Sequence, residues 1–183
     1  MSLLKKIKSG IRRLTRTIDM SEEMVPLNDY LKDVRGANER RAGYIAVIYD
    51  ELSKRYGKDT AFDIMTTAIK DYGRWEAEKR MKESPERKTP DTRLWLPSTE
   101  REARIMERKT IDATQDRTVT EVEFCPLIEA WKNMGKTKGE MRILCDIAMY
   151  LDEGMSEVYP IAIKTEKRIG WGDECCKFIF EKK

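Results

Sequence analysis

The chain has four cysteines and no histidine. That combination removes much of the usual hydrolytic chemistry. No Ser-His-Asp or Cys-His arrangement can form, and no metal site can rest on imidazole. Proton transfer falls to carboxylates, thiols, lysine, tyrosine or water. The cysteines stand at positions 125, 145, 175 and 176, with no C-x-x-C among them. A zinc-ribbon spacing is therefore lacking.

The last two cysteines lie in "GWGDECCKFIFEKK", Gly170 to Lys183. Read as a strand, this stretch sends alternate side chains to opposite faces. Cys176 then shares an apolar face with Phe178 and Phe180 and points toward helices. Cys175 shares the more polar face with Lys177, Ile179 and Glu181. Cys145 falls on the apolar stripe of a helix, and Cys125 at a strand-to-helix corner. Cys125, Cys145 and Cys176 could thus converge between sheet and helices. They read equally as ordinary small buried residues or as reactive groups, which need a thiolate made by nearby positive charge or metal. As a soft ligand set they would suit a transition metal rather than magnesium. The cofactor stays open, with a divalent transition metal as one candidate.

Asp152 lies on the same buried helix stripe, where an unpaired carboxylate is costly. It either pairs with a strand arginine or lysine or faces a polar cavity. Burial would raise its pKa toward neutrality and suit it to act as a general base. Asp173 follows Gly172 in a turn. An aspartate there reads first as a holder of backbone hydrogen bonds and second as an alternative base.

These side chains need a scaffold. Residues 1–18, "MSLLKKIKSGIRRLTRTI", carry Leu3, Ile7, Ile11, Leu14 and Ile18 at helical spacing among six basic residues. They read as a helix packing one stripe on the domain or a partner subunit, or as a basic membrane-surface helix. A second helix is expected over Asn38–Tyr56, with Ile45, Ile48 and Leu52 as its stripe. A third runs from after Asp59 to about Lys82, burying Phe62, Met65, Ile69, Tyr72 and Trp75 or Glu76. Three prolines, Pro85, Pro90 and Pro97, mark a linker loop with Trp95 inside it. Then the period changes. "RIMERKTIDAT" and "RTVTEVEFC" read as a β-hairpin around Gln115-Asp116. Cys125-Pro126 opens a helix that stops at Gly135. Thr137 and Glu140 form a capping-box signature for the next helix, whose stripe is Met141, Leu144, Cys145, Ala148, Asp152 and Met155. "IAIKTEKRI" and "CCKFIFEK" form a second hairpin, with Ile161, Ile163, Thr165 and Ile169 on one face.

The fold class is therefore α+β: N-terminal helices, then β-β-α-α-β-β with an antiparallel sheet covered by helices on one face. The expected organisation is a helical segment at 1–83, a linker at 84–98 and an α+β ligand-binding or catalytic part at 99–183, packed as one unit with the helices. The balance of 36 basic against 33 acidic residues, net +3, gives no reason to invoke nucleic acid. No apolar run approaches the ~20 residues of a membrane helix. No signal-peptide pattern opens the chain. A cytoplasmic location, reduced thiols and no transmembrane segment are expected, with a homo-oligomer left open.

Three segments in order, "EFCPLIEAWKNMG", "ILCDIAMYLDEG" and "GDECCKFIFEKK", resemble the L-2-amino-thiazoline-4-carboxylic acid hydrolase family. The resemblance spans about Arg104 to Lys183. Its marks are the Cys-Pro, the mid-helix cysteine and the terminal Gly-Asp-x-x-Cys-x-Phe. It implies opening of a five-membered cyclic amidine: water adds at the amidine carbon, the carbon–sulfur bond breaks, and N-carbamoyl-L-cysteine results. The same tail is similar to vinyl-reductase-type sensor domains, which bind small ligands between sheet and helices. The family pattern falls on Cys125, Cys145, Gly172, Asp173, Cys176 and Phe178. It departs at Ala148, where the pattern leads one to expect aspartate; Asp152 comes one turn later on the same face.

Two functions follow. One is a small-molecule hydrolase with Asp152 or Asp173 as base, Cys176 or Cys145 as nucleophile or metal ligand, and Cys125, Gly172 and Phe178 at the substrate. The other is a non-catalytic small-ligand or metal-binding sensor-like domain with cysteine ligands.

Overall fold

The computed structural model describes residues 25–97 and 99–183. The amphipathic stretch at 1–18 lies outside them. Helix α1 spans Leu27–Tyr56 and α2 spans Lys58–Glu83, joined by Gly57 at φ +85°. Short 3-10 turns follow at Pro85–Lys88 and Thr92–Trp95. Then come α3 (Glu100–Ile105), β1 (Arg108–Ala113), β2 (Arg117–Val122), α4 (Pro126–Asn133), α5 (Lys138–Val158), β3 (Ile161–Lys167) and β4 (Cys176–Lys182). The sheet is antiparallel throughout, in the order β1-β2-β4-β3. The α+β architecture and the β-β-α-α-β-β order are as read from the sequence.

Helix α1 begins eleven residues before its expected start. Pro26 stands immediately ahead of it, where proline's fixed φ suits a helix start. The added turns are tied down by Arg35, which donates to the carbonyls of Ile105 (2.9 Å) and Arg104 (2.8 Å) and stacks its guanidinium 4.1 Å from the Phe124 ring. The buried stripe of α1 is Ala42, Ile45, Ala46 and Tyr49, while Ile48 is exposed. Small residues win because Trp131 of α4 lies across them and donates its indole N–H to the Ala42 carbonyl at 2.9 Å.

Helix α2 corrects the sequence reading more sharply. Its buried line is Ala61, Met65, Thr66, Gly73 and Ala77. Tyr72 and Trp75 are exposed and stack on each other, their centroids 5.5 Å apart. The reason is the approach of α5. A Cβ at Gly73 would stand 2.3 Å from the Leu151 carbonyl oxygen. A Cβ at Gly154 would stand 2.0 Å from the Lys70 carbonyl oxygen. The two helices meet backbone to backbone, so no large side chain fits between them. Lys70 clamps the crossing by reaching Glu153 (2.6 Å) and Glu157 (2.7 Å).

Within residues 84–97, Thr92 ties the chain to the first hairpin. Thr92 is fully buried. Its N–H donates to the Gln115 carbonyl and its hydroxyl to the Thr114 carbonyl, with the Thr118 hydroxyl 2.8 Å away. That fixes Trp95 against Tyr159, ring centroids 3.8 Å apart. The first hairpin strand starts at Arg108 because residues 104 and 105 still belong to α3. The capping box of α5 forms as its sequence signature requires, Thr137 and Glu140 each bonding the other's backbone N–H. Ile169 leaves the strand and joins a 3-10 turn, Ile169–Trp171.

Gly154→Ala is expected to lower stability by about 3 kcal/mol, because Lys70 backbone cannot yield as a flexible side chain would. Gly43→Ala, also mid-helix but with nothing within 4 Å, should instead raise it by about 0.5–1 kcal/mol. Urea unfolding midpoints of the two variants check the contrast.

Candidate functional site

Beneath α4 and α5, against the inner face of the sheet, lies a cavity of about 350 Å³. The sheet contributes Val122, Cys176, Phe178, Phe180 and Ile163 to it; α5 contributes Cys145, Ala148, Asp152 and Met155. Strand alternation explains the sheet wall. Cys176 pairs with Val122, Phe178 with Thr120 and Phe180 with Thr118, and all six are on the inner side. Helical spacing explains the other wall, since residues 145, 148, 152 and 155 recur on one face. Trp95 and Trp131 add aromatic walls, and Cys125 lines the cavity from the start of α4.

Two opposite charges face this space. Burial pushes the Asp152 carboxyl up from its ordinary value to about 6, with Arg108 and then Arg168 pulling the other way. Burial pushes Arg108 down, and Asp152 and Cys176 favour its charged form. Arg108 lies 5.7 Å from the Phe178 ring centre. Among the described residues it forms no ion pair within 4.0 Å with Asp152, although it is the largest charge acting on that carboxyl. The gap between them opens onto the cavity. Exposed Arg41 and Arg80 also line it.

The thiols behave differently. Burial first, then Cys176 and Cys125, pushes Cys145 up to about 12. Burial pushes Cys176 up to about 11, against a 3.4 Å hydrogen bond from the Ile169 N–H. Cys125 is raised by burial too, and the N–H groups of Ile128 and Leu127 at the α4 start only partly offset it. All three thus stay protonated at neutral pH, short of the thiolate a nucleophile needs. Cys145 also has a packing role. A Cβ at Gly170 would meet its Sγ at 2.6 Å, so the 3-10 turn rests directly on it.

The three cysteines suggested as metal ligands, Cys125, Cys145 and Cys176, do not make a metal site. No group of three or more His, Cys, Asp or Glu that could hold a metal ion occurs among the described residues. Each thiol comes from a separate element, and apolar packing surrounds them all.

Two more candidates lie away from the cavity. Asp173 accepts the Arg168 backbone N–H at 2.7 Å, and Gly172 takes φ +102° to close the same turn. Their job is to fold the β3–β4 connection, which carries Arg168. That arginine bonds Asp146 at 2.8 Å and sits over Trp171. Cys175, placed by alternation on the outer face, is nevertheless only 4% exposed. Burial raises its thiol, and the charged groups acting on it are Glu121, Glu174, Lys167 and Asp173. Phe178 does line the cavity.

Arg108 was the residue that spacing could have named. It pairs with Val122, which pairs with Cys176. Once Cys176 faces inward, Arg108 must as well.

Ionising Asp152 in the folded state costs free energy, because its folded pKa, about 6, lies above its ordinary 3.8. The relative stability is present below about pH 4 and is lost as pH rises through about 6. Asp152→Asn is therefore expected to stabilise the protein at pH 7.5 by about 2–3 kcal/mol and to change little at pH 4. Urea unfolding at the two pH values measures this. An equal effect at both would show that the carboxyl ionises in the fold as freely as in water.

The family model for L-2-amino-thiazoline-4-carboxylic acid hydrolase matches residues 37–180, well beyond the C-terminal segments that carry the resemblance in the sequence. No curated protein matches the chain. Among solved structures, a trafficking protein particle complex subunit 3 from Naegleria fowleri, covalently bound to palmitic acid, aligns with 79% of this chain and 96% of its own. Its identity is 13% and its TM-score 0.47. The match over residues 37–180 takes in both cavity walls and Arg108, and the chain belongs to the L-2-amino-thiazoline-4-carboxylic acid hydrolase family.

Proposed function

We propose that the protein is a small-molecule hydrolase that opens a cyclic amidine bearing a carboxylate. The observation that carries this reading is the separated pair Asp152 and Arg108 facing one apolar-walled cavity. A 2-amino-thiazoline-4-carboxylate offers complementary groups, a carboxylate for a guanidinium and an amidine for a carboxylate. Family membership supports the same substrate class.

Asp152 is the base. Near neutral pH a carboxyl with a pKa of about 6 is mostly ionised yet still basic enough to take a proton from water. The water oxygen bonds to the amidine carbon as Asp152 accepts one proton. The carbon–sulfur bond then breaks, its electron pair going to sulfur. Of the two water protons, one ends on the ring nitrogen and one on sulfur, and the oxygen becomes the urea carbonyl. Protonated Asp152 can return its proton to the leaving thiolate. Arg108 holds the carboxylate and keeps Asp152 ionised. Cys176 and Cys145, protonated, form wall rather than nucleophile.

A second reading, a small-ligand domain without catalysis, draws on Ala148, which stands where the family pattern leads one to expect an aspartate. Turnover separates the two. With purified protein and 2-amino-thiazoline-4-carboxylate, thiol release should rise with pH through an apparent pKa near 6. Asp152→Asn should lower kcat/KM by a factor of about 100 or more while remaining folded. Arg108→Gln removes the main group holding the Asp152 pKa down, so the acid limb should move to higher pH. Folded wild-type protein that binds the ring acid but releases no thiol would leave only the second reading.

A further inference from the structure

We propose that the substrate carries an uncharged apolar arm, seated in the part of the cavity between Asp152 and Trp95. This rests on the reading of Asp152 and Arg108 as the pair that holds the ring acid.

The cavity is longer than the ring. Along β4 its inner-facing residues are Cys176, Phe178 and Phe180, which spans about 13 Å at strand rise. Along α5 the wall runs from Cys145 to Met155, about 15 Å at helical rise. Asp152 stands part-way along this length on α5, while the strand register sets Arg108 level with Cys176. Cys145 and Cys176 interact with each other at one end. Trp95, Met155 and Phe180 belong to a separate apolar cluster with Ile161 and Tyr159 at the other. A 350 Å³ space lies within the range that encloses a drug-sized ligand. A five-membered ring with one carboxylate and one amino group is far smaller.

The thiol end has little to offer an arm. The Gly170 turn is pressed onto Cys145, and the Ile128 side chain is within 3.2 Å of the same spot. The Trp95 end is different in chemistry. Its walls are Trp95, Met155, Ile163, Leu151 and Phe180. The polar atoms nearby are covered: Trp95 Nε1 and Tyr159 OH are both buried, without a partner among the described residues and without access to solvent. Arg80 stands exposed and engages Glu76 at 2.8 Å. An arm placed here meets hydrocarbon and aromatic faces and no free charge. The Trp95, Met155, Ile163, Leu151 and Phe180 side chains fit an apolar arm, and each methylene it buries should tighten binding roughly fourfold.

The test is calorimetric titration of the full chain with two probes, 2-amino-thiazoline-4-carboxylate and its derivative carrying a hexyl group on the exocyclic nitrogen. The hexyl compound is expected to bind at least ~10-fold more tightly, or to bind alone. Met155→Phe and Ile163→Phe, which narrow the Trp95 end, should each remove that advantage of the hexyl compound over the bare ring. Having two variants covers the case in which one fails to fold, which circular dichroism reports. Equal or weaker binding of the hexyl compound by wild-type protein overturns the arm while the ring reading stands. A hexyl advantage that survives in a folded filled variant also overturns it. If neither probe binds, the ring reading fails and the arm fails with it.

Discussion

The close approach of α2 and α5 at two glycines is the constraint from which the site follows. Gly73 and Gly154 each face a carbonyl oxygen of the opposite helix at a distance no Cβ could occupy. Helix α5 is thereby fixed in height over the sheet and in rotation about its own axis. Rotation decides which residues face inward. Turning α5 by a single residue, about 100°, would send Asp152 off the cavity wall and bring a neighbour in. The Lys70 bridges to Glu153 and Glu157 lie on the outer side of the same crossing and hold the same rotation. Being partly exposed, they add direction more than energy. A second close approach, Gly170 on Cys145, sets the position of the β3–β4 connection on α5. The helix is thus located from both sides by contacts that only glycine permits.

What the sequence disclosed depended on whether a single period governed the residues concerned. Asp152 and Cys145 were legible because α5 is capped by its own box and runs as one amphipathic helix. Cys176 and Phe178 were legible because β4 is a single strand whose partners β2 and β3 lie on either side of it. Tyr72, Trp75 and Ile48 were misplaced by the assumption that large apolar residues mark the buried side. Here the tight crossing of α2 with α5 demands small residues, so the large ones are left outside. The same preference for small residues under Trp131 displaced Ile48 on α1. Asp173 and Gly172 carried the family mark but serve a turn, where a carboxylate accepting a backbone N–H has local work to do. Trp95 could not be placed at all from spacing. It depends on Thr92 reaching the far hairpin, a contact with no local signature.

Arg108 shows a different limit. It stands at the first position of β1, two residues separating it from the end of α3 at Ile105. Local pattern alone gives six residues with burial on one of them. Only the register across β2 to β4 shows that this arginine shares the face of Cys176. A charge on an edge strand is ordinarily a solvated feature that blocks aggregation. Its meaning here comes from the carboxylate on α5, an element 44 residues further along the chain, and no reading of either segment by itself could join them.

The chain holds no histidine, and in the cavity a single physical effect acts on two other kinds of acid. Desolvation disfavours the charged form of thiols and carboxyls alike. Starting from about 9, the thiols of Cys176 and Cys145 are carried to about 11 and about 12, away from any useful range. Starting from 3.8, the Asp152 carboxyl is carried to about 6, into it. The same dry walls that silence the cysteines therefore prepare the aspartate. Arg108 decides where that preparation stops. Without its positive charge the carboxyl would climb further; with a direct ion pair it would fall back toward its ordinary value. Standing beyond ion-pair contact but within reach of its field, Arg108 leaves Asp152 between those limits, and both side chains line the cavity.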